Sequence, residues 1–384
     1  AIVARFGSRT LEVLDNDPQQ LLTVKGIKQA KLQKVIDSYK KTRKLGALTA
    51  FLVPYDVTEK KIAKIQERFG DNSLNIVQTD PFQLCQISGF GFLTVDAIAK
   101  KTKVSLNNPL RYAGAINYTL EEARNSGHLF LLRDVVIDRC HELLNDGFDH
   151  EVVSAAEIVG AIQSEHQSGN IYVEHERVYL TFERTCEVEA AKRLVSMLLS
   201  DPIPKVHNLD DEIKETEAKI GQTLAPSQRN AVKLCLENRC AIMTGGPGVG
   251  KTTTLRAILD IYHRLYPDNE LLLAAPTGKA SRRMTEQTGF PAFTLHSAMG
   301  ISSEENLEDP VPEFLSADFV VIDEYSMVDM KVTYALFQRL KPGVQILFVG
   351  DPDQLPSVGA GNVLRELLRC GVIPTAVLDT VFRQ

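Results

Sequence analysis

The chain has 384 residues, of which 44% are hydrophobic, and a formal net charge of −6. This composition excludes a disordered or fibrous chain and predicts a globular protein with two or three cores. No apolar run reaches the roughly 18 residues of a membrane span, and the N-terminus lacks a signal-peptide layout, so we expect a cytoplasmic protein without membrane contact. The six cysteines form no C-x-x-C pair, which indicates reduced, mostly buried thiols.

Charge is distributed unevenly along the chain. Residues 1–110 carry 17 Lys and Arg against 10 Asp and Glu, whereas the remaining residues carry 26 against 39. A basic N-terminal third indicates a polyanionic partner. A basic face that is merely solvated explains the charge equally well.

An internal repeat with an offset of 63 residues occupies this basic region. Each copy predicts a helix that ends at a glycine, a short second helix that begins at Asp-Pro, and a turn into a third helix. Residues 45–70 predict a further, degenerate helical unit. The repeated motifs are Arg5-Phe6-Gly7, Asp17-Pro18 and Gly26 in the first copy, and Arg68-Phe69-Gly70, Asp80-Pro81 and Gly89 in the second.

Residues 21–36 and 84–99 resemble the helix-hairpin-helix family, whose members bind the DNA backbone without reading its sequence. The resemblance implies that backbone N–H groups of a Gly-hydrophobic-Gly hairpin bind a phosphate. The second copy keeps this hairpin as Gly89-Phe90-Gly91, whereas the first reads Gly26-Ile27-Lys28 and lacks the second glycine. We expect DNA contacts at Gly26, Gly89 and Gly91, and a purely structural role stays open, above all for the first copy.

The middle of the chain predicts a small domain of mixed structure. Apolar residues spaced by three and four predict helices over residues 132–144 and 152–166, and residues 171–173 and 178–180 predict a β-hairpin. This order resembles a winged-helix module, and a plain linking domain is an equal alternative. Asp201-Pro202-Ile203-Pro204 and the charged residues 210–219 predict a connector. The resulting segments are helix-hairpin-helix repeats over 1–105, a helical or winged-helix-like domain over 106–200, and an α/β domain over 201–384.

A glycine-rich run follows a predicted strand (residues 240–243) and precedes a predicted helix (residues 253–262). It matches the pattern G-x-x-x-x-G-K-[ST] at every position. The glycines let N–H groups point into one concavity, Lys251 can reach the β- and γ-phosphates, and the hydroxyl of Thr252 can hold Mg²⁺. We therefore predict that a nucleoside triphosphate binds to Gly245, Gly246, Pro247, Gly248, Val249, Gly250, Lys251, Thr252 and Thr253.

Three further apolar runs, at residues 271–275, 319–322 and 345–349, predict strands buried on both faces. The second of these runs ends at Asp323-Glu324, where Asp323 would hold Mg²⁺ and Glu324 would polarise the attacking water. The carboxyl ends of parallel strands meet at one edge of a sheet. We expect the glycine-rich loop and the acidic pair to face each other across adjacent strands.

The motifs of this last domain resemble, in wording and order, those of the RecD family of superfamily 1 helicases, which move 5′ to 3′ on DNA. The N-terminal repeats resemble those of the stand-alone RecD-like enzymes. The resemblance implies a RecA-like P-loop fold, ATP and Mg²⁺ as cofactors, a monomer, and single-stranded DNA or single-strand/duplex junctions as partners. The motifs occupy residues 224–228, 245–253, 275–281, 323–327, 350–359 and 382–384.

Roles for individual residues follow from the same resemblance. Gln228 would read the adenine edge, Gln354 would sense the γ-phosphate, and Arg383 would stabilise charge on it in the transition state. One loop would hold single-stranded DNA by its phosphates, and the segment around His296 would form a second contact. The residues of that loop are Pro276, Thr277, Gly278 and Lys279.

Two positions depart from the family pattern. Tyr325 stands where a small residue is usual, and residues 300–315, where these helicases carry a duplex-splitting hairpin, are short and acidic, which disfavours contact with phosphate. The motifs of a second motor domain would lie beyond Gln384, so we expect these 384 residues alone to bind nucleotide weakly, to hydrolyse it slowly and not to translocate.

The main alternative is a non-motor P-loop protein that acts as a nucleotide-controlled DNA clamp or scaffold. A nuclease finds little support, because no carboxylate cluster with a nearby lysine stands apart from the ATP site.

Overall fold

The computed structural model describes residues 1–87, 89–102, 104–301 and 313–382. Arg383 and most of the acidic segment 300–315 lie outside these residues, so the expectations for them rest on sequence alone. Two compact units divide the chain: one comprises residues 1–119 and 136–165, the other residues 120–135 and 166–384. This division differs from the three predicted segments, because residues 106–200 are shared between both units.

The described part of residues 1–125 consists of helices joined by short turns and contains no strand. Short 3₁₀ turns separate the helices at Gly7–Arg9, Pro18–Thr23, Val53–Tyr55, Gly70–Asn72 and Pro81–Gln86. The α-helices are α1 (Ile2–Phe6), α2 (Thr10–Asn16), α3 (Gln29–Leu52), α4 (Glu59–Phe69), α5 (Ser73–Thr79), α6 (Phe92–Thr102) and α7 (Pro109–Asn125).

The backbone repeats as the sequence does. Gly7 and Gly70 end a helix at φ 53° and 55°, and Gly26 and Gly89 turn at φ 91° and 97°. Asp17 and Asp80 share φ values of −148° and −150° before their prolines. The sequence did not predict the α-helix between the glycine and Asp-Pro, which is α2 in the first copy and α5 in the second. The short helix predicted to begin at Asp-Pro is a 3₁₀ turn in both copies. The two copies are therefore one structural unit used twice.

The predicted helices and hairpin of the middle segment are present. Its elements are β1 (Phe130–Leu132), α8 (Arg133–Asn145), α9 (Ala155–Gln167), β2 (Ile171–Glu174), β3 (Arg177–Leu180) and α10 (Thr181–Leu198). The three strands form an antiparallel sheet of order β1-β3-β2. Strand β1 was not predicted, because three residues are too few to show a period.

The rest of the second unit is an α/β domain. Its elements are α11 (Leu209–Ile220), α12 (Pro226–Glu237), β4 (Cys240–Thr244), α13 (Lys251–Leu265), β5 (Leu271–Ala275), α14 (Gly278–Thr288), β6 (Ala292–Thr294), α15 (Leu295–Ala298), β7 (Phe319–Ile322), a 3₁₀ turn (Tyr325–Met327), α16 (Met330–Arg339), β8 (Gln345–Gly350), α17 (Val363–Cys370) and β9 (Thr375–Val377).

A parallel sheet of order β6-β5-β7-β8-β4-β9 forms the centre of this domain. The four predicted strands are β4, β5, β7 and β8, and every residue of β4, β7 and β8 is buried, as their continuous apolar runs predict. Their carboxyl ends meet at one edge. This is the RecA-like P-loop fold that the motifs imply.

Strand order corrects one expectation. Strand β8 lies between β4, which leads into the glycine-rich loop, and β7, which ends at Asp323-Glu324. The two motifs are therefore not on adjacent strands. Local sequence carries no record of strand order, because each crossover helix can place the next strand on either side.

The charged residues 210–219, interpreted as a connector, form most of helix α11 instead. Leu209 and Ile213 belong to the core that packs on the sheet, and Glu212 pairs with Arg264 of α13 at 2.8 Å. The connector prediction was wrong for residues 210–219, because the many charged residues of this segment obscured the two apolar residues, four positions apart, that form the buried face of the helix.

The cysteines are free thiols. Four are buried, Cys85 is half-buried and Cys370 is exposed. Burial raises the pKa of Cys140 to about 11 and that of Cys240 to about 12, so these thiols stay protonated at neutral pH. Within the described part of the chain, no helix combines the length and apolar character that crossing a bilayer needs.

Candidate nucleotide and DNA site

The glycine-rich loop joins β4 to α13 and turns its backbone toward the start of the helix. Gly248 and Gly250 both have φ 78°, a left-handed conformation that glycine adopts without cost. The ammonium group of Lys251 folds back over the loop, where it donates to the carbonyl oxygens of Gly245 and, at 3.1 Å, of Gly246. Lys251 and the N-terminus of α13 therefore converge on one concavity suited to phosphate.

Gln228 connects the start of α12 to this loop. Its Oε1 accepts a hydrogen bond from the backbone N–H of Ala225 at 2.9 Å, and its Nε2 donates to the carbonyl of Gly250 at 3.4 Å. The side chain is only 1% exposed. The structure thus brings Gln228 to the nucleotide loop, as the motif implies, while its adenine-reading role stays a prediction.

Asp323 lies at the end of β7, with its backbone N–H bonded to the carbonyl of Ala274 at 2.9 Å. Burial raises the pKa of its carboxyl group above the ordinary value, and the charge of Glu324 adds to the rise. The N–H of Glu324, which donates to Oδ1 at 2.9 Å, and the positive charges of Lys251 and Arg283 oppose it only in part. The charge of Lys251 thus acts to lower the pKa of Asp323, although β8 lies between β7 and the strand that leads into the glycine-rich loop.

Glu324 itself has φ 53°, a left-handed conformation that costs a non-glycine residue about 1–3 kcal/mol. Such strain is concentrated at functional sites. The next residue, Tyr325, explains the departure from the family pattern: it is fully buried, its ring lies 4.5 Å from that of Phe348, and its hydroxyl is 2.9 Å from Thr333 Oγ1. The larger side chain fills the core below the acidic pair.

Gln354 lies in the loop that follows β8, on the same edge of the sheet. Its side chain is exposed, and its backbone N–H donates to the carbonyl of Asp351 at 3.2 Å. Asp351 is 4% exposed, and its Oδ1 accepts the N–H of Asp353 at 3.1 Å. The loop is thus ordered at its base by Asp351, and Gln354 is free to contact a ligand.

The chain after β9 runs along the glycine-rich loop. The N–H of Leu378 donates to the carbonyl oxygen of Thr244 at 2.8 Å, and the N–H of Phe382 donates to the carbonyl oxygen of Gly248 at 3.0 Å. Arg383, predicted to act on the γ-phosphate, follows Phe382 directly but lies outside the described residues. Sequence patterns had not shown that this segment pairs with the loop, because β9 has only three residues.

The predicted DNA-holding loop lies at the carboxyl end of β5. Thr277 caps α14 by accepting the N–H of Ala280 at 3.2 Å, and Thr294 caps α15 by accepting the N–H of Ser297 at 3.2 Å. Residues 275 and 294 are register partners on β5 and β6. Lys279 and His296, both exposed, therefore lie just beyond two neighbouring strand ends, and Pro276 and Gly278 flank the cap residue Thr277.

Arg283 is a residue that sequence reasoning missed. It follows Lys279 by four positions on α14, so the two side chains lie on the same face of the helix. That spacing was the available signal. Because its charge acts on Asp323, Arg283 belongs to the electrostatic environment of the nucleotide site.

The two hairpins of the N-terminal repeats differ in their surroundings. A Cβ atom at Gly89 would lie 3.9 Å from Lys64 Nζ and 4.0 Å from Lys61 Cε, whereas one at Gly26 or Gly91 would meet nothing within 4 Å. Lys61 also lies over the Phe90 ring at 5.4 Å. Helix α4 therefore brings two lysines to the second hairpin, and no comparable contact forms at the first within the described residues.

The described residues fit a magnesium nucleotide. They contain no group of three His, Cys, Asp or Glu side chains that could hold a metal ion alone. Mg²⁺ in nucleotide sites is typically held by one or two protein oxygens together with phosphate and water. Thr252 and Asp323 supply that set, and a cation would relieve the buried charge of Asp323.

Comparison with known families agrees with this architecture. A family described as "ATP-dependent RecD2 DNA helicase HHH domain" matches residues 41–130, and one described as "AAA domain" matches residues 228–360. The helix-hairpin-helix match over residues 41–130 contains the second hairpin, at residues 89–91, and begins after the first hairpin, at residues 26–28. The two matches cover the N-terminal repeats and the nucleotide site separately.

Individual relatives span different parts of the chain. The "ATP-dependent RecD2 DNA helicase" of Deinococcus radiodurans is 32% identical over 394 residues, covering 100% of this chain and 53% of that protein. The "RecBCD enzyme subunit RecD" of Mycolicibacterium smegmatis is 35% identical over 164 residues, 37% of this chain and 30% of the relative. A solved Pif1 helicase from Candida albicans has a TM-score of 0.33 at 26% identity, with 42% of this chain and 41% of that chain covered.

The chain spans about half the length of the Deinococcus relative and less of the RecD subunit. Its RecD2-type helix-hairpin-helix region is followed by a nucleotide-binding domain whose motifs meet at one sheet edge, and the similarity to the RecD2 helicase extends over all of its residues. The chain belongs to the RecD-like family of superfamily 1 DNA helicases.

Proposed function

We propose that the protein is an ATP-dependent DNA helicase of 5′-to-3′ polarity, in which this chain supplies an N-terminal DNA-binding region and one motor domain. The observation that carries the proposal is geometric: the glycine-rich loop with Lys251 follows β4 and the buried carboxyl group of Asp323 follows β7, so both lie at the carboxyl edge of one parallel sheet, with β8 between their strands. Hydrolysis of the terminal phosphoanhydride bond of ATP uses this combination of a positive charge and a metal-binding carboxylate. Polarity follows from the family resemblance.

Bound Mg–ATP supplies the γ-phosphoryl group that water attacks. Lys251 and the N–H groups at the start of α13 would hold the phosphates, and Thr252 and Asp323 would hold the metal. Glu324 orients the attacking water and accepts its proton. Gln354 and Arg383 respond to the γ-phosphate, so that hydrolysis alters the loops at this edge of the sheet.

Single-stranded DNA is proposed to bind at the neighbouring strand ends. The capped N-terminus of α14 presents backbone N–H groups to one phosphate, and Lys279 adds a positive charge. His296 lies beyond the adjacent strand and contacts the next part of the backbone. Because β5 and β7 are neighbours, this loop lies beside Asp323 and moves with the nucleotide site.

The second hairpin, at Gly89-Phe90-Gly91, is proposed to bind a further phosphate without reading the base. Gly89 lies beside Lys61 and Lys64 of α4, which add positive charge at this hairpin. The first hairpin, Gly26-Ile27-Lys28, has no such lysines beside its glycine among the described residues and serves mainly as scaffold. In this proposal the protein acts as a cytoplasmic monomer on single-strand/duplex junctions.

The test is unwinding of duplexes with 5′ or 3′ single-stranded tails by the whole protein, with Lys251→Ala as the control. We expect unwinding of the 5′-tailed duplex alone and none by the variant. Unwinding that survives Lys251→Ala would contradict the site assignment. ATP-dependent DNA binding without unwinding of either duplex would favour the non-motor clamp.

A further inference from the structure

A buried carboxylate lies between two cations beneath the loop that carries Gln354. Glu183, on α10, is 1% exposed. Lys331 Nζ lies 3.1 Å and Arg124 Nη1 3.9 Å from its Oε1. Neither carboxylate oxygen accepts a directed hydrogen bond from the described residues, so the charge of Glu183 depends on these two ion pairs. Removing one member of such a buried set is costly, because the remaining charges lose their partner.

Lys331 lies on the helix that contacts one side of the Gln354 loop. It is the second residue of α16, whose first turn is capped by Asp329 Oδ1 through the N–H of Val332 at 2.9 Å. The N–H of Met330 donates to the carbonyl of Ala360 at 3.0 Å. Gly359 packs so closely on Asp329 that a Cβ there would lie 2.1 Å from Oδ2. The start of α16 therefore holds residues 359 and 360.

Arg124 lies just before the turn that contacts the other side of the same loop. It lies in the last turn of α7, and the carbonyl of Gly127 just beyond it accepts the N–H of Gly361 at 3.1 Å. Gly361 has φ 96°, and a Cβ there would lie 3.1 Å from Met330 Cβ and 3.3 Å from Leu129 Cδ1. Residues 359–361 are thus clamped between α16 and the turn at residues 127–129.

The clamp forms the base of the loop that presents Gln354. Ser357 Oγ is bonded to the carbonyls of Gly359 and Gly361, at 3.0 and 2.9 Å, while Leu355 is 81% exposed at the tip. A cavity of 290 Å³ lies below, lined by Arg124, Glu183, Asp329 and Lys331 with residues 358–360. Asp351 and a hydrogen bond from Arg365 Nη2 to the carbonyl of Pro352 at 3.4 Å hold the start of this loop, and the clamp holds its end, after Gln354.

We propose that Glu183 is a positioning residue for Gln354. Its negative charge holds Lys331 and Arg124 together, and with them the start of α16 and the turn at residues 127–129, at the separation that clamps residues 359–361. The proposal rests on the proposed function of Gln354 as the γ-phosphate sensor. Through Arg124, the segment that precedes the motor domain acts on the nucleotide site.

Neutralising Glu183 leaves two cations facing each other across the cavity. Their repulsion separates α16 from the turn at residues 127–129, and the loop loses its fixed position. Glu187 on the same helix provides a matched control: it pairs with Arg184 at 2.7 Å, is 32% exposed, and takes part in neither ion pair of Glu183.

A fluorescence experiment tests the position of the loop without any catalytic readout. The chain has no tryptophan, so Leu355→Trp places a single reporter next to Gln354. We expect Glu183→Gln to lower the anisotropy of this tryptophan, and Glu187→Gln to leave it unchanged. Equal anisotropy in both variants overturns the proposal. If Glu183→Gln fails to fold, Lys331→Gln, which removes one cation and leaves the pair with Arg124, must lower the anisotropy instead.

Kinetics of the whole protein provide the second test. For DNA-stimulated ATP hydrolysis, we expect Glu183→Gln to lower kcat about tenfold, because a displaced catalytic group costs rate, with KM for ATP within about twofold of wild type. A role limited to stability would lower Tm and leave kcat at permissive temperature unchanged, which overturns the proposal. If the wild-type protein hydrolyses no ATP, the proposed function fails, and the anisotropy result still decides the position of the loop.

Discussion

The side-chain amide of Gln228 donates to the backbone carbonyl of Gly250, 22 positions away, at 3.4 Å. Since Gly250 is the N-cap residue of α13, this contact ties the start of α12 to the point where the glycine-rich loop enters its helix. A Cβ atom at position 250 would lie 2.3 Å from Gln228 Nε2. The identity of both residues is therefore constrained by one contact.

Gly250→Ala tests this constraint. The variant combines backbone strain at φ 78° with a collision that a buried amide cannot avoid, and we expect it to lower the free energy of unfolding by about 3 kcal/mol. Gly289→Ala, at φ 80° with no neighbour within 4 Å, has the strain alone and should cost about 1 kcal/mol. Chemical denaturation measures both. In a Gln228→Ala background, Gly250→Ala should lower the free energy of unfolding by about as much as Gly289→Ala does, about 1 kcal/mol. If Gly250→Ala costs the same with and without Gln228, the collision is unimportant.

Asp323→Asn should stabilise the protein while abolishing hydrolysis. Because burial raises the pKa of Asp323, the native state holds the proton more tightly than the unfolded chain, and stability falls as pH rises from the unfolded to the folded pKa. At pH 7 the variant lacks this buried charge, and we expect Tm to rise by about 2–4 °C. Differential scanning calorimetry across pH 4–8, without nucleotide, measures the effect.

Asp318, just before the same strand, is the control with the opposite sign. Burial acts to raise its pKa, but the hydrogen bonds from Lys341 and from the N–H of Glu270 outweigh this and hold the pKa below the ordinary value. Its contribution to stability is present above the unfolded pKa and is lost as pH falls through the folded pKa. Asp318→Asn should therefore lower Tm at pH 7. Equal shifts in the two variants would disprove the assigned burial of Asp323.

Lys251→Ala should lower ATP hydrolysis by about 10²–10³-fold, the usual cost of removing a preorganised charge from a phosphoryl-transfer site. The variant also removes a positive charge that opposes the raised pKa of Asp323, so that pKa should rise further, which carboxyl NMR of the isolated chain can follow. Lys214→Ala removes an exposed lysine paired with Asp211 at 3.1 Å and should change neither property. An unaltered Asp323 titration in Lys251→Ala would place the two groups too far apart to share a metal.

Replacing lysines beside the two hairpins should separate their functions. Lys61→Gln with Lys64→Gln should weaken duplex DNA binding and reduce the slope of log K against log salt by about 0.9 for each lost phosphate contact. Lys25→Gln with Lys28→Gln, the matched change beside the first hairpin, should have a smaller effect. Fluorescence anisotropy of labelled DNA at several salt concentrations makes the comparison. If replacing Lys25 and Lys28 has the larger effect, the assignment of the hairpins must be reversed.

Elements with a strong local pattern were predicted well. Strands β4, β5, β7 and β8 are buried in a parallel sheet, so their apolar runs are continuous and their bounds nearly match the prediction. Strands β6 and β9 have three residues each and carry no readable period. Helix α11 escaped prediction because its charges outnumber its buried face. In each case, the element that the sequence did not predict is one with a weak local pattern.

The sequence by itself determined the glycine-rich loop with its strand and helix, the acidic pair at a strand end and the duplicated N-terminal unit, because all are encoded in short, contiguous patterns whose local geometry follows from backbone preferences. Only the tertiary structure decided that β8 separates the two halves of the nucleotide site, that Arg283 and Lys251 both act on Asp323, and that Glu183 lies beneath the Gln354 loop. These relations join residues tens to hundreds of positions apart. They depend on how strands are ordered and helices packed, which no local pattern records.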